Sequence, residues 1–205
     1  MMKMLSAFTA FAALAVIAAP ASAAAVVGQP APSFTLADTN GRSVSLSDFR
    51  GKTVVLEWHN PGCPFVRKHY DSRNMQRAQT AAARDGVVWL TINSGAPGKQ
   101  GHMSGAEANA LLARAGARPA AYLLDPRGDV GRAYEARTTP HMYIVNRAGT
   151  LVYAGGIDDR PTANPADIDG ARNHVLAALS ELKAGRAVSV STSRPYGCAV
   201  KYADS

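Results

Sequence analysis

One junction constrains this chain more than any other. In KTVVLEWHNPGCPFVRKHY, residues 52–70, a short run of β-branched and apolar residues stops at Asn-Pro-Gly and gives way to Cys63-Pro64. A run of that length between turn residues reads as a buried strand. Proline suits the first helical position, where no N–H is needed, so the spacing predicts a helix from about Pro64 to Arg84, ended near Gly86. Cys63 then stands at or beside the helix N-cap. Unpaired backbone N–H groups and the positive end of the helix dipole face its sulfur and favour the thiolate. A contribution of ~1–2 kcal/mol lowers an ordinary thiol pKa of ~8.5 by about one unit. His59, Arg67, Lys68 and His69 are near enough in sequence to add to that. The alternative is an inert buried cysteine that packs as a small apolar residue.

Strand-like and helix-like segments alternate along the rest of the chain, the pattern of an α/β sheet with helices on its faces. Residues 34–46 (FTLADTNGRSVSL) read as two short strands around the Asn40-Gly41 turn. Residues 86–93 (GVVWLTIN) and 120–125 (AAYLLD) read as strands, and residues 94–103 (SGAPGKQGHM) as an exposed glycine-rich loop. Ser104 with Glu107 forms a capping box for a helix to about Ala115. Residues 129–136 (DVGRAYEA) give a short helical turn, and residues 141–155 two strands joined at Asn146–Gly149. A last helix is expected from about Ile168 to Ala184, with Ile168, Val175, Leu179 and Leu182 on one apolar stripe.

Composition narrows the function classes. Residues 1–23 carry Lys3, an apolar stretch from Leu5 to Ala18 and then PASA, the features of a secretory signal peptide. The apolar stretch is shorter than the ~20 residues that span a bilayer. Export to the periplasm or the exterior is expected, with no stable membrane insertion after cleavage, in a compartment where disulfides persist. About 180 residues remain, enough for one domain with a proper core. Two cysteines are too few for a disulfide-stapled scaffold. The formal charge of +7 is spread along the chain, and no interleaving of aromatic and basic residues suggests nucleic-acid binding. GAPGKQ lacks the glycine spacing and the Ser or Thr of a phosphate loop. DIDG near Asp167 lacks the remaining positions of a calcium loop.

The order hairpin, strand, NPGCPFV, long helix, strand and then TTPHMYIVNRAGTLVYAG (138–155) resembles the thioredoxin-like superfamily, in particular its AhpC/TSA or redoxin branch and the peroxiredoxin-like members. The likeness runs from about Val27 to Leu182. It implies a thioredoxin-like fold: a central mixed β-sheet flanked by helices, with an N-terminal β-hairpin and a C-terminal extension. The expected division is a signal peptide over 1–23, a redoxin domain over 24–186 and an extension carrying Cys198 over 187–205. It further implies that Thr139 and Pro140, with Pro140 in the cis form, flank Cys63 and help bind an extended peptide or a thiol substrate. Read from the residues alone, Pro140 is a proline at a strand start, a permitted position.

Two departures from the family are visible. The second cysteine of a CxxC motif is replaced by Val66, so the usual resolving thiol is missing. The peroxiredoxin motif PxxxTxxC fails in both registers: with Val66 as its last position, His59 and Cys63 stand where proline and threonine belong, and with Cys63 as its last position, Leu56 and Asn60 do.

Cys198, in RPYGCAVKY (194–202), has no packing reason to occur in a terminal extension. In an oxidising compartment it pairs with Cys63, either as a resolving thiol or as a permanent bond. A loop this long contributes roughly 4 to 5 kcal/mol in the chain-entropy account. An intermolecular bond or two free thiols are the remaining alternatives. Glu57, six residues before Cys63, matches in the resemblance a buried acid that moves protons at the disulfide, and is otherwise an exposed strand residue.

The resulting expectation is an exported thiol–disulfide oxidoreductase with Cys63 as nucleophile, possible resolution by Cys198 and Glu57 as proton acceptor. Its partners are a protein or small-molecule thiol or disulfide and an external thiol reductant, with no cofactor and no metal. The alternatives are a thiol-dependent peroxide reductase and a non-enzymatic copper-binding protein in which Cys63, His141 and Met142 converge.

Overall fold

A computed structural model describes residues 24–204; the expected signal peptide lies outside the described residues. The elements run β1 (Thr35–Asp38), β2 (Ser43–Ser45), β3 (Val54–Trp58), α1 (Pro64–Asp71), α2 (Asn74–Arg84), β4 (Val88–Asn93), α3 (Gly105–Ala115), β5 (Ala121–Leu124), α4 (Asp129–Ala133), β6 (Thr138–Thr139), β7 (His141–Val145), β8 (Leu151–Gly155), α5 (His174–Lys183) and β9 (Cys198–Ala199). Short 3-10 turns cover Leu46–Phe49 and Pro165–Ile168.

Seven strands form one mixed sheet in the order β2-β1-β5-β4-β3-β7-β8. β3 and β4 are parallel, as are β4 and β5, while β7 runs antiparallel to β3 and β8. Successive side chains point to opposite faces, and the sequence obeys this alternation closely. Val55, Trp89, Met142 and Ile144 face one way and meet Val66 and Tyr70 of α1, Met75, Ala78 and Ala82 of α2, and Val175, Ala178 and Leu179 of α5. Val54, Leu56, Trp58, Leu90, Ile92, Tyr143 and Val145 face the other way, against Phe34, Val130 and Tyr134. β3 and β4 are buried on both faces and are mostly apolar, as central parallel strands require, with Glu57, Thr91 and Asn93 as buried polar exceptions.

The Ser104 capping box forms: the Ser104 side chain accepts from the Glu107 N–H and the Glu107 carboxylate accepts from the Ser104 N–H at 2.8 Å. The expected helix 64–84 is instead two helices. Arg73, between them, has φ +60°, which ends α1 and sets α2 at a new angle. The expected last helix begins six residues later than Ile168. Asn173 caps it, accepting from the Leu176 N–H at 2.9 Å, and Ile168 belongs to the preceding 3-10 turn rather than to the core stripe.

The segment after α5 returns across the ends of the strands. Ala154 N–H donates to the Ser191 carbonyl and Ser193 N–H to the Ala154 carbonyl. Further on, β9 pairs antiparallel with β6, Thr138 opposite Ala199 and Thr139 opposite Cys198.

Candidate active site

β3 delivers the chain to the turn Asn60–Cys63, and the local sequence closes it. The Asn60 side chain accepts from the Gly62 N–H at 2.9 Å, the Asn60 carbonyl accepts from the Cys63 N–H at 3.1 Å, and Gln100 holds the Asn60 amide from outside. Cys63 is the N-cap of α1 in extended conformation, with Pro64 at the first helical position. Its side chain is 0% exposed.

Four groups from three residues surround the sulfur. The Thr139 carbonyl accepts from the Cys63 thiol at 3.0 Å across a Thr139-Pro140 peptide that is cis. The Cys198 N–H points at the sulfur from 3.4 Å. The Cys198 thiol also hydrogen-bonds to it, and the Val66 N–H faces it from the first turn of α1 without closing a full cap. Burial alone would raise the Cys63 pKa; the donors from Cys198 and Val66 outweigh it and hold the thiol below its ordinary value. Cys198 moves the other way, pushed up to about 11 by desolvation and by the neighbouring Cys63 sulfur. Cys63 is thus the more acidic member of the pair. Both cysteines are free thiols here, Cys63 buried and Cys198 half-buried.

The cations that sequence proximity suggested do not reach this sulfur. Arg67 is exposed beside Asp71. Lys68 and His69 are buried but point away, Lys68 donating to the Arg160 carbonyl at 2.8 Å and lying 3.8 Å from Asp158, and His69 meeting the Tyr196 hydroxyl at 3.2 Å. His59 is neutral, its pKa lowered to about 3 by desolvation. The acidity of Cys63 therefore comes from dipoles and the second thiol rather than from side-chain charge.

Glu57 is fully buried. Alternation places it on the Cys63 side of the sheet, where it accepts from the Tyr70 hydroxyl at 2.8 Å, the Trp89 indole at 2.8 Å and the Thr91 hydroxyl at 3.1 Å. Desolvation raises its pKa despite these donors. No cation compensates it among its hydrogen-bond partners, so the carboxyl is primed to hold a proton.

A group the sequence reading missed anchors the tail. The Tyr196 hydroxyl donates to Asp158, whose other oxygen lies 3.8 Å from Lys68 and 3.9 Å from His69, and the Lys68 amine sits over the Tyr196 ring. Gly197 follows with φ +134°, and a Cβ there would strike the Thr139 carbonyl. These residues set Cys198 against Cys63; the Gly-Cys pair in an otherwise terminal stretch was the one visible signal. The copper set does not converge. His141 and Met142 are adjacent on β7 and point to opposite faces, Met142 into the Cys63 cluster and His141 against the Tyr143 ring, 4.5 Å between centroids. Among the described residues no three His, Cys, Asp or Glu side chains gather as metal ligands.

A cysteine at the N-cap after a central parallel strand, facing a cis-proline, decides the relationship together with the sequence match. The AhpC/TSA family pattern matches residues 27–154. The chain belongs to the AhpC/TSA family. Its fold is thioredoxin-like. An uncharacterized conserved protein from Geobacillus kaustophilus is similar at 28% identity and TM-score 0.74, over 88% of this chain and 94% of that one. A hypothetical protein from Sinorhizobium meliloti 1021 is similar at 25% identity and TM-score 0.71, over 88% and 96%. A secreted Mycobacterium tuberculosis disulfide oxidoreductase homologous to E. coli DsbE shares the fold at 19% identity and TM-score 0.51, over 67% and 92%. No curated protein is similar enough to match.

Proposed function

We propose that this AhpC/TSA member is an exported thiol–disulfide oxidoreductase whose redox pair is Cys63 and Cys198. The observation that carries it is the register of β9: opposite Thr139, Cys198 offers both its N–H and its thiol to the one acidic sulfur of the site. In reduction of a substrate, the Cys63 thiolate attacks a disulfide sulfur and expels one substrate thiolate. The Cys198 thiolate then attacks the Cys63 sulfur of the mixed disulfide, expels the second substrate thiolate and leaves a Cys63–Cys198 bond. Two electrons pass to the substrate. The two protons lost from the cysteines end on the two leaving thiolates, and Glu57, buried and with its pKa raised by desolvation, takes up the Cys198 proton in transit and releases it again. Thr139 and Pro140 form the edge against which an extended substrate lies, the place that β9 takes in this conformation. Export is supported by the leader-like residues 1–23 and the secreted character of the Mycobacterium tuberculosis neighbour.

The test is turnover of insulin disulfides by the mature protein with an excess of dithiol. Cys63→Ser is expected to abolish it and Cys198→Ser to stall it at a mixed disulfide on Cys63; full turnover by Cys63→Ser would end the proposal. Peroxide reduction is a second reading, favoured by the family match. It predicts consumption of peroxide by the reduced protein with a sulfenic acid trapped on Cys63 by dimedone, and no trapped species at excess peroxide would reject it.

A further inference from the structure

We propose that the pocket between α1 and α3 is a binding site for a small organic anion, a carboxylate carried on an apolar or aromatic body. The inference is independent of the proposed Cys63–Cys198 exchange. Three arginines, Arg67, Arg73 and Arg114, line a pocket of about 310 Å³. Its floor is His59, which precedes the active-site turn, Val66 and Tyr70 of α1, and Leu111 of α3. A largely apolar cavity of ~300 Å³ or more with a few placed polar groups is the usual make-up of a small-molecule site.

The rim carries more positive charge than the fold needs. Its one carboxylate, Asp71, lies 3.5 Å from Arg67, with both side chains largely exposed. Neither Arg73 nor Arg114 has a carboxylate ion-pair partner among the described residues. A Cβ on Gly116 would meet Arg73 Nη1 at 3.6 Å, so the Arg73 guanidinium stands at the C-terminal end of α3, where Arg114 occupies the last turn. The dipole of that helix end amounts to about half an elementary charge. Two guanidiniums exceed it, and positive charge is left over at the pocket. Arg73 also holds φ +60°, a left-handed conformation that glycine adopts without strain and arginine does not. The break between α1 and α2 requires that φ but not that side chain. Arginine at this position gives the pocket a cation that glycine would not.

The polar atoms of the floor are already engaged. The Tyr70 hydroxyl donates to Glu57 at 2.8 Å, and His59 Nδ1 meets the Tyr122 hydroxyl at 3.0 Å. The His59 and Tyr70 rings pack edge to face with centroids 5.0 Å apart. What remains for a ligand is ring surface and the aliphatic side chains of Val66 and Leu111. A bare inorganic anion would be held at the rim alone, whereas a carboxylate on an apolar body uses rim and floor together. The planar guanidinium fork matches carboxylate geometry and binds it through two parallel hydrogen bonds.

The experiment titrates the isotope-labelled mature protein with phenylacetate, to tens of millimolar at low salt, and follows backbone amides by NMR. Saturable shifts are expected around the pocket, at Val66, Tyr70, Leu111 and Ala115. Phenylacetamide, of the same shape but uncharged, is expected to bind at least about tenfold more weakly, and Arg73→Gly and Arg114→Ser each to weaken phenylacetate by at least about that factor. Arg73→Gly keeps its fold because glycine suits φ +60°, and Arg114→Ser reads the rim from a second, exposed position. No saturable shift at these amides, equal binding of the amide, or unchanged phenylacetate affinity in either variant would overturn the proposal. Sulfate that bound the pocket as tightly as phenylacetate would overturn it too, since the apolar floor would then play no part.

Discussion

The backbone N–H of Cys198 lies 3.4 Å from the sulfur of Cys63, although 135 residues separate the two in sequence. Nothing in the central sheet requires this; the tail brings it about through β9. A bond between the two therefore closes a very long loop without moving the backbone far. The chain-entropy account sets its contribution at about 5 kcal/mol. For a domain of this size each kcal/mol shifts the midpoint by ~2–4 °C, so oxidised protein is expected to melt at least about 10 °C above reduced protein in calorimetry. Equal melting points would show that the two sulfurs do not bond. The reduction potential of the bond separates its uses: a permanent structural bond lies below about −300 mV and a labile one above, and the proposed exchange requires the higher range.

Gly197→Ala tests whether β9 is what hides Cys63. At φ +134° an L side chain is strained, and its Cβ would strike the Thr139 carbonyl. The β6–β9 pairing is expected to open, with a loss of about 1–3 kcal/mol and alkylation of Cys63 in reduced protein faster by at least about tenfold. Gly149→Ala, also at positive φ (+85°) but with nothing within 4 Å of the added methyl, is the control and leaves the alkylation rate unchanged. Unchanged Cys63 reactivity in Gly197→Ala would mean that something other than the tail covers the sulfur.

Much of the sheet was legible because burial on both faces leaves mostly apolar runs in β3 and β4, and because Asn40-Gly41 and Ser104 with Glu107 announce a turn and a cap by local chemistry alone. The break between α1 and α2 was not, since neither proline nor glycine marks it. Asp71-Ser72-Arg73-Asn74 is a polar cluster of the kind that interrupts helices, and only Arg73 taking positive φ turns that hint into a break. Cys63 could be placed from sequence because its helix position is a local property. Its electrostatic surroundings could not: Lys68 and His69 are its neighbours along the chain, yet the helix turns them toward Asp158 and Tyr196, groups more than eighty residues away. The partners of Glu57 follow the same rule, Trp89 and Thr91 coming from the adjacent strand at a spacing that pleating makes intelligible only once the strand neighbours are known.

The Lys68–Asp158 pair gives a third prediction. Both side chains are buried, 0% and 2% exposed, and removing one partner of such a pair leaves the other without compensation, a loss of about 3–5 kcal/mol. Asp158→Ala also strips the Tyr196 hydroxyl, which His69 meets from the other side, of its acceptor. The variant is expected to lose stability in urea titration by that amount and to expose Cys198 fully to alkylation. The double variant Lys68→Met, Asp158→Leu removes both charges and is expected to recover a large part of the stability while the tail stays loose, because Tyr196 still lacks its acceptor. Recovery of the half-buried, slowly alkylated Cys198 of the wild type in the double variant would show that the network does not position the tail.

Acid lability follows from three histidines. His59, His69 and His141 are buried, and burial lowers their pKa values to about 3, 4 and 4. Each is neutral in the folded protein, whereas in the unfolded chain each takes up a proton near pH 6.5. A depressed folded pKa means the unfolded state binds more protons below pH 6.5, so stability is complete above that pH and falls as pH drops toward 4. The slope is about 1.4 kcal/mol per pH unit for each histidine. Urea midpoints measured from pH 7.5 to 4.5 are expected to decline across this window, and His69→Gln is expected to flatten the decline. A midpoint constant over the range would contradict the neutral, buried state of all three.

Glu57 acts with the opposite sign. Its folded pKa is raised by desolvation, so the folded state binds more protons than the unfolded one between the unfolded value of ~4.3 and the raised value. Its contribution is fully present below ~4.3, is lost as pH rises through the raised value, and amounts to about 1.4 kcal/mol for each unit of the rise. Glu57→Gln keeps the shape and cannot ionise, so the difference between variant and wild type isolates this one group from the histidine slope. The variant is expected to gain on wild type steadily as pH climbs above ~4.3, then to hold a constant advantage once the carboxyl is ionised, offset by whatever the amide loses against the donors Tyr70, Trp89 and Thr91. The same variant separates stability from chemistry. If Glu57 accepts the proton of Cys198, resolution of the mixed disulfide on Cys63 slows in Glu57→Gln by about 100-fold or more near neutrality and recovers as pH approaches the Cys198 value of about 11, where the thiol ionises unaided. A resolution rate that Glu57→Gln leaves untouched at neutral pH would assign the buried carboxyl to packing alone.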